Sequence, residues 1–487
     1  MKWHVTQQQW IIAVGITLAA SVAVARAQRP LAIEAGDIVI TGGQLFDGVA
    51  DTLRPNTGLV VRHGIFLEVG ADLTGRDLSA ADVVRLDPDE TVLPGLFDLH
   101  AHYAVDLFNA GRVDEYTANP LIYLGNGVTS TFPAGEVDPE GMMAARRRIE
   151  RGEQIGPRIL SSGPYFGGAR PGWKTADETP DRIRREVDEW AARGVMGFKA
   201  KGIQPAQLAA LIDEAHRYGV TVTGHLDSGF HNSVNPRDAI LMGIDRIEHF
   251  MGGDALTPDK SAYASLESLD VTRPEVTAVM QLYLQRHVYY DATISAYGYW
   301  YADKDPRVFT TWTDEMAFLT PHARDVVEAN LKTRPSNEQF HRIYDVKLKE
   351  IKRFYDLGGA ALITSGTDHP SWGEYFAGFG THRELQALVV AGLPPAAALK
   401  AATTNAAHAF GLGDRLGTIE TGKLSDLVVI RGNPMTNINT THNVLRVMVR
   451  GQLYDAHALL DQAKGTLGPK TAADDDWWKG NIRFAKH

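Results

Sequence analysis

After residue 33 the chain runs in short apolar and β-branched stretches broken by turns. Asp37-Ile38-Val39-Ile40-Thr41 precedes Gly42-Gly43, and Gly58-Leu59-Val60-Val61-Arg62 precedes His63-Gly64; runs at 65–70 and 83–86 follow. Apolar runs of this length between turn residues predict strands. From residue 94 the rhythm changes. Apolar runs at 94–102, 127–132, 158–162, 195–199, 220–225, 246–249, 288–293 and 361–368 alternate, for the most part, with segments of helical period. Thr179-Pro180 opens one helix through Ile183, Val187 and Trp190. Pro205 opens another through Leu208, Leu211, Ile212 and Ala215, ending before Gly219. Eight strands in alternation with helices predict an α/β chain folded as a (β/α)8 TIM barrel, with its chemistry at the C-terminal strand ends. A doubly wound sheet is the competing architecture, but no Gly-rich phosphate loop follows the first strand.

Beyond Phe410 short β runs return at 417–419, 426–430 and 444–450. They match the first segment in character, so both chain ends are expected to build one composite β-sandwich. The expected boundaries are 28–93 and 411–465 for the two sandwich parts, 94–410 for the barrel and 466–487 for a C-terminal arm. Long insertions at 251–287 and 298–340 interrupt the barrel rhythm. An aromatic series lies along the second, with Tyr297, Tyr299, Trp300, Tyr301, Phe309, Trp312 and Phe318. Such insertions shape a pocket at a barrel mouth or simply pack onto it.

The first 27 residues read as a separate segment. Lys2 is followed by a mostly apolar stretch from Trp10 to Val24, and Ala25-Arg26-Ala27 offers a small-x-small cleavage pattern before Gln28. The apolar stretch is short for a membrane span and is interrupted by Gly15, Thr17 and Ser21. An exported protein, periplasmic or secreted, is the expectation, without stable membrane insertion after cleavage; an uncleaved anchor is the alternative.

Composition narrows the chemistry. Of 487 residues, 44% are hydrophobic and 22% charged, which suits a chain able to bury a large core. The formal charge is -10 and no long basic run occurs, which argues against nucleic acid as a partner. There is no cysteine, so disulfides and thiolate metal sites are excluded and any metal is held by His or carboxylate.

Polar, metal-competent groups fall at the ends of the apparent strands: His100 and His102, Lys199, His225, His249 and Asp368. Asp98, His100 and His102 alternate onto one face of the first strand. Burying this set without metal or mutual bonding would cost several kcal/mol per group. Lys201 shares face parity with Lys199, so spacing does not choose between them. In the loop after the third strand, Arg170 could hold a substrate carboxylate bidentately. Tyr165 or Tyr297 could donate to a polarised carbonyl. His231 and His369 are read as structural.

These residues resemble the amidohydrolase superfamily, in its imidazolonepropionase and Xaa-Pro-dipeptidase-like branch. The resemblance rests on Pro94-Gly95-Leu96-Phe97-Asp98-Leu99-His100-Ala101-His102, Gly197-Phe198-Lys199, Thr223-Gly224-His225, Ile247-Glu248-His249 and Thr364-Ser365-Gly366-Thr367-Asp368. Gly422-Lys423-Leu424-Ser425-Asp426-Leu427-Val428-Val429 resembles the family's C-terminal sandwich strand. The resemblance implies two divalent metal ions, most often Zn2+. His100, His102 and Asp368 would hold one, His225 and His249 the other. Lys199, carboxylated by carbon dioxide to a carbamate, would bridge them. It further implies that a shared hydroxide attacks a carbonyl, with Asp368 as general base and then acid. The expected activity is hydrolysis of an amide or peptide-like C–N bond in a small molecule. A lactone, ester or phosphotriester hydrolase on the same site is the alternative, and a non-catalytic exported binding protein the rival from another class. A homo-oligomer is compatible with such a barrel. The loop after His225, Leu226-Asp227-Ser228-Gly229-Phe230-His231, lacks the tyrosine expected of dipeptidase-like members, which argues against Xaa-Pro specificity.

Overall fold

Two kinds of sheet organise the protein in the computed structural model, which describes residues 31–106, 112–299, 304–370 and 375–474. The strands, in chain order, begin with β1 (Ile38–Leu45), β2 (Arg54–Arg62), β3 (Ile65–Val69), β4 (Asp82–Pro94), β5 (Leu96–Ala101) and β6 (Ala104–Asp106). They continue with β7 (Arg112–Asp114), β8 (Val128–Pro133), β9 (Arg158–Ile159), β10 (Tyr165–Phe166), β11 (Gly197–Lys201) and β12 (Thr221–His225). The remainder are β13 (Arg246–Glu248), β14 (Tyr289–Asp291), β15 (Ile363–Thr364), β16 (Leu427–Arg431), β17 (Val444–Val449) and β18 (Gln452–Asp455).

Strands β10 to β15 form a parallel sheet in sequence order, and β5, β8 and β9 form a second parallel sheet. Backbone bonds connect the two. Leu99 N–H donates to Ser365 O at 3.0 Å, Asp368 N–H to His100 O at 2.9 Å, and Met196 N–H to Ser161 O at 2.8 Å. The chain is thus α/β with parallel sheets. Helices lie between most of the strands, as the 3.6-residue period predicts. In Pro180–Ala192 the Thr179 side chain accepts from Arg182 N–H and Ile183, Val187 and Trp190 are buried. In Pro205–Arg217 Leu208, Leu211, Ile212 and Ala215 are buried.

Strand alternation decides which side chains meet. Phe198, Val222, Ile247 and Tyr290 are fully buried, and all four share an apolar cluster with Leu208, Leu211 and Ile212 of the helix layer. Each such side chain contributes roughly 1.5–3 kcal/mol. The alternating neighbours Lys199, Thr223, Glu248 and Asp291 are equally buried but polar, and they face the other way. A one-residue slip would exchange the two sets, so burial fixes the register.

The two chain ends share one seven-stranded sheet in the order β18-β17-β16-β4-β1-β2-β3. Its middle pairing is antiparallel, with Leu427 opposite Pro94 and Arg431 opposite Glu90. Residues from both ends share its core, including Ile40, Leu59, Phe66, Leu427, Val429 and Met448. The expected sandwich is therefore one continuous sheet whose halves contribute to one apolar cluster. Residues 417–419 form no strand, because Gly417 takes a left-handed φ of 87°. Sequence reading missed β18 and the helix Ala456–Ala463 that follows it. No helix among the described residues is long and apolar enough to cross a membrane. The segment 1–27, Trp300, Tyr301 and most of the expected arm (475–487) lie outside the described residues.

Candidate functional site

β5 ends at Ala101, with His100 inside it and His102 just beyond. Asp98, buried two residues earlier, accepts from His100 N–H at 3.0 Å, Thr367 N–H at 3.1 Å and Thr367 Oγ1–H at 2.7 Å. This one carboxyl ties β5 to the segment that carries Asp368. Burial pushes Asp98 up to about 6, against the pull of its hydrogen bonds. His102 is held by Tyr123, whose hydroxyl accepts from His102 N–H at 3.0 Å and donates to His102 O at 2.9 Å.

The side chains converge. His102 Nε2 lies 2.8 Å and His100 Nε2 3.4 Å from Asp368 Oδ1. His249 Nε2 lies 4.0 Å from Asp368 Oδ2, and Lys199 Nζ 3.5 Å from His100 Nε2. The imidazole centroids of His225 and His249 are 4.1 Å apart, and those of His100 and His249 4.8 Å. His100, His102 and Asp368 present ligand atoms all within 4.8 Å of one another, as do His100, Glu248 and His249. His225 joins the cluster through His249. All six residues expected from sequence at strand ends are brought together.

The donor chemistry fits divalent ions. Burial pushes His100 and His249 well below the usual imidazole range, which leaves neutral rings with a free electron pair. His249 Nδ1 sits 2.6 Å from Thr293 Oγ1, while its Nε2 is buried without a hydrogen-bond partner. Lys199 is completely buried, and desolvation pushes it well below the usual lysine range, toward the neutral amine. Asp368 and His225 are the more exposed members, Asp368 with a side chain 31% accessible.

Glu248 was missed by sequence reading. It is fully buried, touches Lys199 Nζ, and lies 3.5 Å from His100 Nδ1 and 3.1 Å from Thr223 Oγ1. Alternation places Glu248 and His249 on opposite faces of a strand, so choosing one appears to discard the other. The structure keeps both, because β13 ends at Glu248 and His249 turns back inward with φ of 67°. Thr293 (φ 47°) and Asp368 (φ 56°) share this left-handed conformation. Left-handed non-glycine residues are uncommon, and three of them meet at this one cluster.

The expected substrate contacts fare differently. Tyr297 is buried with its ring 6.1 Å from that of His249, among Phe250, Tyr263 and Phe340. Tyr165 is buried on β10 opposite Lys199. Arg170 pairs with Glu186 of the helix Pro180–Ala192 at 2.5 Å, so its guanidinium already has the carboxylate expected from a substrate. Of the insertion aromatics, Phe309 and Phe318 are buried packing residues and Trp312 stacks on His442 at 4.6 Å. A surface hollow of about 500 Å³ lies at the other end of β12 to β14, lined by Thr221, Ile244, His287 and His408, and does not touch this cluster.

A family model described as "Amidohydrolase family" matches residues 91–454. Comparison with curated proteins gives no match. Among solved structures, a Xaa-Pro dipeptidase with bound methionine in its active site is similar at 22% identity, with a TM-score of 0.63 over 86% of this chain and 100% of that one. Molinate hydrolase is similar at 22% identity and TM-score 0.63, over 90% and 99%. Phenylurea hydrolase B is similar at 20% identity and TM-score 0.63, over 89% and 100%.

Proposed function

The chain belongs to the amidohydrolase family, and from that membership we propose a binuclear metal-dependent hydrolase of an amide or amide-like C–N bond in a small molecule. The observation that carries this reading is the buried Lys199, 3.5 Å from His100 Nε2, set among two histidine groups that share Asp368. In this reading His100, His102 and Asp368 would hold one divalent ion and His225 and His249 a second, and Lys199, as a carbamate, would serve both; carbamate formation needs the neutral amine that burial favours. Zinc suits an imidazole and carboxylate donor set without thiolate. Two ions so held would supply a nucleophilic water at neutral pH and Lewis acidity toward the scissile carbonyl.

The chain's own residues do the rest. Asp368, the more exposed carboxylate of the cluster, accepts the proton of the attacking water and passes it to the leaving nitrogen. His102 Nε2, 2.8 Å away, holds that carboxylate in place. Tyr297 and its ring neighbours exclude water from the side of His225 and His249. The similar structures named for a Xaa-Pro dipeptidase and a phenylurea hydrolase support a small-molecule C–N substrate. The bonds linking β5 to the segment after β15, and residue 161 to residue 196, support closure of the parallel strands into the (β/α)8 barrel. Export through the segment 1–27 belongs to the same proposal.

The test uses the full chain loaded with zinc and bicarbonate and a pooled library of dipeptides, N-acyl amino acids and lactones, followed by mass spectrometry. Wild-type protein is expected to bind about two zinc ions and to consume amides selectively. Asp368→Asn should lower turnover about 10²–10⁴-fold while keeping most of the metal. Consumption of lactones alone would replace the C–N reading, and one zinc per chain would remove the bridged pair.

A further inference from the structure

Helix Glu338–Asp356, inside the long segment between β14 and β15, carries two buried ionisable residues on its inner face. Lys347 is completely buried and Glu350 almost so, one turn apart among Ile343, Tyr344, Ile351 and Phe354. The Lys347 ammonium lies 4.9 Å from the ring centroid of Tyr297, 5.8 Å from Phe250 and 5.9 Å from Tyr290. Packing alone asks for an apolar side chain here, since a buried cation is costly unless it is bonded. Lys347 Nζ donates to the backbone oxygen of His249. Tyr290 Oη–H donates its one proton to the same oxygen at 2.9 Å, and Glu350 Oε2, 2.8 Å from that hydroxyl, is in place to donate to it in the protonated form that burial favours.

That oxygen belongs to a residue under strain. His249 has φ of 67°, its N–H donates to Asp291 O at 2.9 Å, and its Nδ1 meets Thr293 Oγ1 at 2.6 Å. The amide, the carbonyl and one ring nitrogen are each tied down, and the three ties come from β14, the residues just after it and the insertion helix. Only Nε2 is left, 4.0 Å from Asp368 Oδ2.

We propose that Lys347, with Tyr290, is a positioning residue: the insertion helix clamps the His249 carbonyl and thereby holds this backbone turn, so that Nε2 points at the cluster. The functional consequence rests on the binuclear reading above; the conformational claim does not. Loss of either donor lets the residue after β13 relax toward extended backbone and swings the imidazole away. Groups that orient a metal-binding histidine typically account for about 10–100-fold in metal affinity.

The experiment compares full-length wild type with Tyr290→Phe, which removes one donor at nearly constant volume, and with Lys347→Met/Glu350→Gln, which removes the cation without stranding a buried carboxylate. Zinc release to a chelator and the visible spectrum of the cobalt-substituted protein are recorded, with kcat and KM. The expected result is one ion lost about 10–100-fold more readily, an altered cobalt spectrum, and a fall in kcat with KM little changed. Crystal structures of the metal-free variants ask the question without metal, and His249 is expected to leave the left-handed region. Variants that melt earlier yet keep the His249 backbone and ring in place, with wild-type release rates, would overturn the proposal and leave Lys347 a stability residue. Absence of zinc from the wild type would instead remove the binuclear reading, and the crystal structures would still decide the clamp.

Discussion

Asp37 is a fully buried carboxylate at the start of β1, and Arg62 meets it with a two-pronged contact, Nε to Oδ1 at 2.7 Å and Nη2 to Oδ2 at 2.9 Å. The Arg62 hydrogen bonds hold Asp37 below the usual carboxylate range, against the cost of burial. A carboxyl depressed in the folded state adds stability above its unfolded pKa of about 3.9. That contribution fades as pH falls from there through the lower native value. Wild-type stability should therefore drop across this acid window, and Asp37→Asn should flatten the drop while costing about 1–3 kcal/mol at neutral pH. Urea unfolding at pH 7 and near pH 3 checks both parts; an unaltered acid response in the variant would show that Arg62 is not the source. Arg62 stands partly in solvent, whereas Lys199 and Glu248 face each other fully buried.

At the scale of elements, the site depends on how closely β5, β14 and the segment after β15 approach one another. Gly366 sits between them. A methyl group there would stand 2.1 Å from Asp291 Oδ2 and 2.6 Å from His100 Cβ. Neither neighbour is a flexible side-chain end in open space, since Asp291 is completely buried and His100 is on β5. Gly366→Ala should destabilise the fold by roughly 1–3 kcal/mol and loosen metal binding by displacing His100. Thermal melts and metal content of the purified variant read these separately. Wild-type values for both would mean that β5 and the following segment can part without cost. Burial also pushes Asp291 up to about 8, so this side chain is held near neutrality at the centre of the strand array.

For the whole molecule, the seven-stranded sheet explains how distant parts of the chain serve one site. β4 runs directly into β5 through Gly95, whose N–H donates to Asp426 O at 3.0 Å. The C-terminal strand β16 therefore braces the strand that carries His100. If ions join six side chains from five separated segments, they bind only the folded chain, and folded-state binding raises stability. Removing metal with a chelator should lower the melting temperature by several degrees, and adding zinc back should restore it. Calorimetry of both forms decides this. Identical melts would mean that the cluster holds together without ions.

The pattern of apolar and polar residues by itself determined the strand and helix alternation, because burial of one face imposes a period that local composition displays. It also located His100, His102, Lys199, His225, His249 and Asp368, since each stands at the end of an apolar run. Only the tertiary structure decided what lies past those ends. Glu248 and His249 share one side because His249 adopts a left-handed backbone that no face-counting rule foresees. Lys347 reaches His249 from 98 residues away, as a cation hidden on a helix face that otherwise reads as core. Arg170, free to bind a substrate as far as sequence could say, is taken by Glu186. Local pattern reports which face of an element is buried; which buried polar groups then face one another depends on packing between segments far apart in the chain, and that information exists only in three dimensions.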